Sequence, residues 1–451
     1  MGTNTNMKAL FRLSSALALL VVAQLAHAIL PIEHWRTSTG AKVYFVENRG
    51  LPMLDVSVDV PAGSAFDTPD KSGLASITNA LMRQGTADMN EAEIARRLAD
   101  VGAAMSHRYD TDRAGFSLRT LSDLPRRSQA LEVMTKVLSE PVFPTAIVSR
   151  ELARYASALK EADLTPDSQA NRAFYRLVFG KHPYALRPSG EADTLSRLRR
   201  DDLLAFYRKH YVANQAVVAI MGDVTRQEAE AIAEQLTRGL PRNSGPALTL
   251  PEVQSIEAAV NRMIEHPASQ SHIMIGAPGI RRDDPDYFAL FLGNYILGGG
   301  GFVSRITEEV RQKRGLAYSA YSYFSPLKAS GPFIIGMQTR RDQAEQALAV
   351  VRGTLREFID NGPTEKEVIA AKQNIIGGFP MRIDSNRKIH EYLILIGYYG
   401  LPIDYLETFV ANIERVTAAD IKAAFARRVD PDRLVTVVVA ADRNQAAAAT
   451  R

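Results

Sequence analysis

The sequence predicts an α+β fold built as two copies of one domain. Three observations carry this: a long-period internal repeat, strand-like alternation that opens each half and gives way to helical periodicity, and a Pro-, Gly- and Asn-rich connection between the halves. The repeat is clearest where Leu203, Phe206, Tyr207 and Lys209 precede the apolar run Val217-Val218-Ala219-Ile220, and a similar helix-then-strand segment recurs 218 residues on. There Tyr207 meets Phe425, Lys209 meets Arg427, and Leu434-Val435-Thr436-Val437 follows. A period this long is a duplicated domain, not a solenoid.

Element by element, residues 43–46 and 54–60 alternate as strands and open the first half, and residues 272–276 open the second. Helical periodicity follows over residues 91–101 and 344–360. The connection, residues 239–253, separates a first domain at 29–238 from a second at 254–442, and a frayed tail at 443–451 ends the chain. Residues 1–28 read as an export signal: Lys8 and Arg12, an apolar run over 13–25, then Ala26-His27-Ala28. Its alternative use is as an uncleaved anchor, although the run is short for a membrane span. With 451 residues, 46% of them apolar, the chain holds enough core for several packed units.

The net charge of +4 falls to +2 once residues 1–28 are removed, and no dense Lys/Arg tract exists, so nucleic-acid binding is excluded as a main function. Absence of cysteine excludes disulfides and thiolate catalysis. His34, His107, His182, His210 and His390 stand alone, while His266 and His272 are six apart, so no pair has helix-site metal spacing. No G-x-S-x-G elbow occurs.

Residues 73–82 have the frame of the inverted zinc motif H-x-x-E-H, with Ser76, Asn79 and Ala80 where His, Glu and His would stand. A hydroxyl and a methyl at the ligand positions do not compete for Zn²⁺ as imidazole does. Gly298-Gly299-Gly300-Gly301 fixes no side chain and permits either close approach of another backbone or a plain flexible turn. A helix starting near Val303, with Val303, Ile306 and Val310 as its buried stripe, is expected to end at Gly315. Arg311 and Tyr318 flank that stop. A guanidinium and a phenol can converge on an oxyanion; a solvated Arg and a packed strand Tyr are the ordinary reading.

Taken together these segments resemble the pitrilysin/insulinase family of zinc metallopeptidases, in its short-chain branch of two-subunit bacterial and mitochondrial processing enzymes. The matching residues are Pro61-Ala62-Gly63-Ser64 before Gly73-Leu74-Ala75, His182-Pro183-Tyr184 with Gly190, and Gly298 through Tyr318, including Gly-Gly-Gly-Phe302-x-Ser304-Arg305. The resemblance implies two α/β-sandwich domains, each a mixed, mainly antiparallel sheet with helices, forming half of a clamshell. It places the family's ligand and base positions at Ser76, Asn79, Ala80 and Ser157, with Ala158 beside the last, so no metal is expected in this chain. Arg311 and Tyr318 then match the family's assisting pair, with Arg314 as the alternative arginine, and Gly298, Gly299, Gly300, Gly301 and Phe302 its substrate-binding loop. The implied protein is a zinc-free, periplasmic subunit that acts on peptides beside a homologous subunit carrying H-x-x-E-H and zinc. A catalytically dead peptide-binding scaffold is the alternative.

Overall fold

In a computed structural model the protein is described over residues 31–242 and 248–440. The export signal at 1–28, residues 243–247 of the connection and the tail from 441 lie outside the described residues.

The two halves carry the same sheet. In the first, β1 (Glu33–Arg36), β2 (Lys42–Glu47), β3 (Met53–Val60), β4 (Ala104–Tyr109), β5 (Ala114–Leu121) and β6 (Val217–Gly222) lie in the order β1-β2-β6-β3-β5-β4. In the second, β7 (Val260–Glu265), β8 (Gln270–Pro278), β9 (Ala317–Phe324), β10 (Pro332–Arg340) and β11 (Val435–Ala440) lie in the order β7-β11-β8-β10-β9. Each sheet has one parallel pair, β2 with β6 and β7 with β11, and is antiparallel elsewhere. Apart from β1 the topologies coincide, so the fold is α+β with two mainly antiparallel sheets flanked by helices. The opening strand of the second half is β7, not the segment at 272–276; Val260-Asn-Arg-Met-Ile-Glu alternates weakly because it is an edge strand with few buried side chains.

Strand β6 is apolar throughout because both its faces are covered. Val218 and Ile220 enter the core of the first half, whereas Ala219 and Met221 pack on Leu393 and Ile394. Those two leucine-class side chains belong to helix Asn386–Tyr399 of the second half. In return, helix Pro166–Phe179 of the first half places Phe174 and Val178 on Met274, Ile334, Val435 and Val437 of the second sheet. Each half therefore supplies the helix that covers one face of the other half's sheet.

A polar hub locks this exchange. Fully buried Asp112, in the β4–β5 turn, accepts from Tyr184 Oη at 2.6 Å, Tyr399 Oη at 2.9 Å and the Lys328 amide at 2.8 Å, and its carbonyl accepts from Tyr398 Oη at 2.6 Å. Arg108 joins buried Asp59 at 3.2 Å to Glu391 of the exchanged helix at 2.9 Å. Among the described residues no helix is long and apolar enough to cross a membrane.

Candidate functional site

Helix Leu74–Leu81 carries the zinc-motif frame. Its start is held by the Asp67 carboxylate, which accepts from the Gly73 and Ala75 amides at 2.7 and 2.8 Å. Burial outweighs these donors and raises the Asp67 pKa to about 7. Gly73 has φ +93°, and a Cβ there would meet Gly190 Cα at 2.8 Å, so the two glycines quoted above press on each other.

The four motif positions do not form one surface. Asn79 is fully buried and donates to the Gly115 carbonyl at 3.2 Å and Tyr211 Oη at 3.0 Å, so it is part of the core. Ser76 and Ala80 are half-buried, and Ser76 lines a cavity of about 610 Å³ with Tyr109, Asp167, Tyr175 and Leu327. Ser157 is exposed on helix Thr145–Ala162, whose contribution to that cavity is Ala162. A hydroxyl, an amide, a methyl and a distant hydroxyl do not fit zinc, and among the described residues no three His, Asp or Glu side chains are grouped to hold a metal.

The Arg/Tyr segment is built differently from its expected regular helix. Val303 is 73% exposed and precedes the helix, which starts at Arg305 after Ser304, whose hydroxyl donates to the Gly301 carbonyl at 2.7 Å. Only Ile306 and Val310 of the expected stripe are buried. Two π-helical turns flank the loop, Tyr295–Gly299 and Glu308–Gln312, closed by i→i−5 bonds from the Gly300 amide at 2.8 Å and the Lys313 amide at 2.9 Å. Such turns store a local misfit that recurs at functional sites. Gly315, at φ +60°, ends the second turn as expected.

The glycine run is required by the chain's own packing. A Cβ on Gly298 would lie 2.3 Å from Ser322 Oγ, and one on Gly300 would lie 2.6 Å from the Tyr295 carbonyl. Asn294 completes the seal: its Nδ2 donates to the Ser322 carbonyl at 2.9 Å and its Oδ1 accepts from Ser322 Oγ at 2.7 Å. Thr307 Oγ1 donates to the Ala320 carbonyl at 3.1 Å. These side chains cap carbonyls of β9, the last strand of its sheet. Sequence reasoning missed Asn294, Thr307 and Ser322, since nothing local marks which strand they meet.

Tyr318 owes its direction to a β-bulge. Gln338 of β10 faces Ser319 and Thr339 faces Ala317, leaving Tyr318 as the extra residue; the bulge breaks the alternation that would set it with buried Ala320 and Ser322, and it lines the same cavity as exposed Tyr321 and Tyr323. It is 81% exposed and stacks on Arg311, whose guanidinium carbon lies 4.7 Å from the Tyr318 ring centre and 4.7 Å from that of Phe302. No carboxylate pairs with Arg311 among the described residues. Arg314, in contrast, is occupied by the Glu309 carboxylate and carbonyl, which leaves Arg311 as the arginine at Tyr318. Arg311, Tyr318, Gly298, Gly299, Gly301 and Phe302 line one cavity of about 520 Å³. Its Tyr321 and Tyr323 adjoin Tyr175 and Asp167 of the Ser76 cavity; burial raises the pKa of all three tyrosines, and the neighbouring phenols or Asp167 add to it.

Residues 42–187 match the family described as Insulinase (Peptidase family M16), and residues 197–375 match the Peptidase M16 inactive domain. The crystal structure of a peptidase M16 inactive domain from Pseudomonas fluorescens is 38% identical and superimposes with a TM-score of 0.87 over 91% of this chain and 98% of that one. The chain belongs to peptidase family M16. Among curated M16-like relatives, the "Non-peptidase homolog YmxG" of Helicobacter pylori is 24% identical over 84% of this chain and 87% of its own length. An uncharacterized zinc protease of Streptomyces coelicolor is 28% identical over 68% of this chain and 67% of its own. The periplasmic protease PqqL of Escherichia coli shares the fold, with a TM-score of 0.78 at 13% identity over 92% of this chain and 46% of that one. This M16 chain thus keeps the family fold, and no group of three His, Asp or Glu side chains among its described residues could hold a metal.

Proposed function

We propose that this chain is the non-catalytic subunit of a periplasmic, heterodimeric zinc metallopeptidase, and that it supplies Arg311 and Tyr318 to the zinc site of a homologous H-x-x-E-H subunit. The observation that carries the reading is an arginine held by two rings, without a carboxylate partner among the described residues, in a cavity wall of a chain whose own motif positions carry neither imidazole nor carboxylate. In this role Tyr318 Oη donates a hydrogen bond and Arg311 supplies fixed positive charge where the scissile carbonyl oxygen becomes an oxyanion. Zinc held by that partner would supply Lewis acidity and a bound water of lowered pKa. The loop 298–302 faces the peptide, and residues 1–28 direct export.

The chain purified alone should hold no zinc and cleave no peptide, and mixing it with the zinc-bearing homologue should produce hydrolysis. Tyr318→Phe and Arg311→Ala should each lower that turnover by roughly 10²–10³-fold, as loss of one oxyanion donor does, with assembly intact. Stoichiometric zinc in the isolated chain, or wild-type turnover in both variants, overturns the reading. The second reading is a peptide-binding scaffold, favoured by the non-peptidase name of the Helicobacter relative; it expects peptide binding without turnover in either state.

A further inference from the structure

We propose that Phe302 is a positioning residue that clamps the Arg311 guanidinium against Tyr318, so that its edge N–H groups are aimed before any substrate arrives. A guanidinium has two weakly hydrated faces and five donors in its plane. The guanidinium carbon lies 4.7 Å from the centre of each ring, over the Phe302 ring and over the Tyr318 ring, and no carboxylate meets its donors among the described residues. The backbone is arranged for this contact. Gly301 adopts φ +63°, which turns the chain back after the packed glycines, and no atom lies within 4 Å of where its Cβ would be. The Phe302 carbonyl then accepts from Gln312 Nε2 at 2.7 Å, tying the clamp to the π-helical turn that carries Arg311. Phe302 is 65% exposed, so its ring is not held there by burial in the core. Its role for catalysis rests on the function proposed above; the clamp itself does not.

The test labels the full chain with phenylglyoxal and follows each arginine by mass spectrometry. Removing one of two stacked rings with Phe302→Ala should speed modification of Arg311 by about fivefold, the scale of one such contact, without moving the thermal transition. Phe302→Tyr, which keeps a ring, should label at the wild-type rate, and Phe302→Leu should fall between. Wild-type labelling of Arg311 in Phe302→Ala overturns the clamp. In the complex with a zinc-bearing homologue, Phe302→Ala should lower kcat and Phe302→Tyr should restore it. Faster labelling with unaltered turnover keeps the clamp and removes its catalytic purpose, and Arg311→Ala measured beside it shows whether the assisting reading has failed.

Discussion

At the scale of single residues, glycines in one short run answer to different constraints. Gly298 is excluded from bearing a side chain by Ser322, whose Oγ and amide would lie 2.3 and 2.6 Å from a Cβ. Gly301 meets nothing, and only its left-handed backbone disfavours substitution. Gly298→Ala should therefore cost about 1–3 kcal/mol through overpacking, and should release Asn294 from β9. Gly301→Ala should cost about 1–2 kcal/mol through backbone conformation alone. Thermal denaturation checks the first: a Gly298→Ala chain as stable as the wild type would show that the seal against Ser322 is not what the run is for. Asn79 shows the same contrast between a residue's type and its setting. From sequence it is a lost catalytic position, yet its side chain now serves the core by donating to Gly115 and Tyr211.

At the scale of elements, the helix Asn386–Tyr399 carries a titratable group into the junction. His390 is buried, and its Nε2 lies 3.2 Å from the Ala219 carbonyl, a contact in which neutral imidazole donates. Burial lowers its pKa to about 4; Asp55, the carbonyl bond and Glu391 oppose the shift, and Arg108 adds to it. The sign follows from proton counts. Between the ordinary pKa near 6.5 and about 4, the unfolded chain binds a proton that the folded chain does not, so stability falls as pH falls through that window. A shift of this size costs up to about 3 kcal/mol at the acid end. Buried His210, lowered to about 4 chiefly by burial, adds in the same direction. Melting temperature measured from pH 7 to pH 4.5 should drop steeply in the wild type and less in His390→Gln, which keeps a donor toward Ala219. Equal slopes would mean that His390 is not what makes the junction acid-sensitive. Elements of this kind were only partly legible. The helix over 91–101 and the strands over 43–46 and 54–60 are written in local periodicity and stand within a residue or so of their observed ends. The π-helical turns and the bulge at Tyr318 are not, because they arise when the loop, Asn294 and β9 close on one another. Val303 shows the cost: it fits a helical stripe by spacing, but the chain turns at Gly301 and leaves it in solvent.

At the scale of the whole molecule, the duplication visible at a 218-residue period and its packing are separate facts. The helix that covers a sheet has the same apolar stripe whether it folds onto its own half or the other, so no sequence pattern distinguishes the two arrangements. The exchange makes the halves depend on each other. Without helix Asn386–Tyr399, Ala219 and Met221 on β6 would meet water; without helix Pro166–Phe179, so would Val435, Val437 and Val439 on β11. Exposing several such side chains costs about 1.5–3 kcal/mol each, comparable in sum with the stability of an ordinary domain. The Asp112 hub adds three tyrosine donors that reach it from both halves. Two beads on a linker would melt in two steps. This chain should instead melt in one, with calorimetric and van't Hoff enthalpies that agree, and Leu393→Ala should lower that single transition as a whole. Cutting the backbone between residues 242 and 248 should leave the pieces associated, because the exchanged helices hold them together. Two resolved transitions, with Leu393→Ala shifting only one of them, would show that the halves fold independently and that the exchange is incidental to stability.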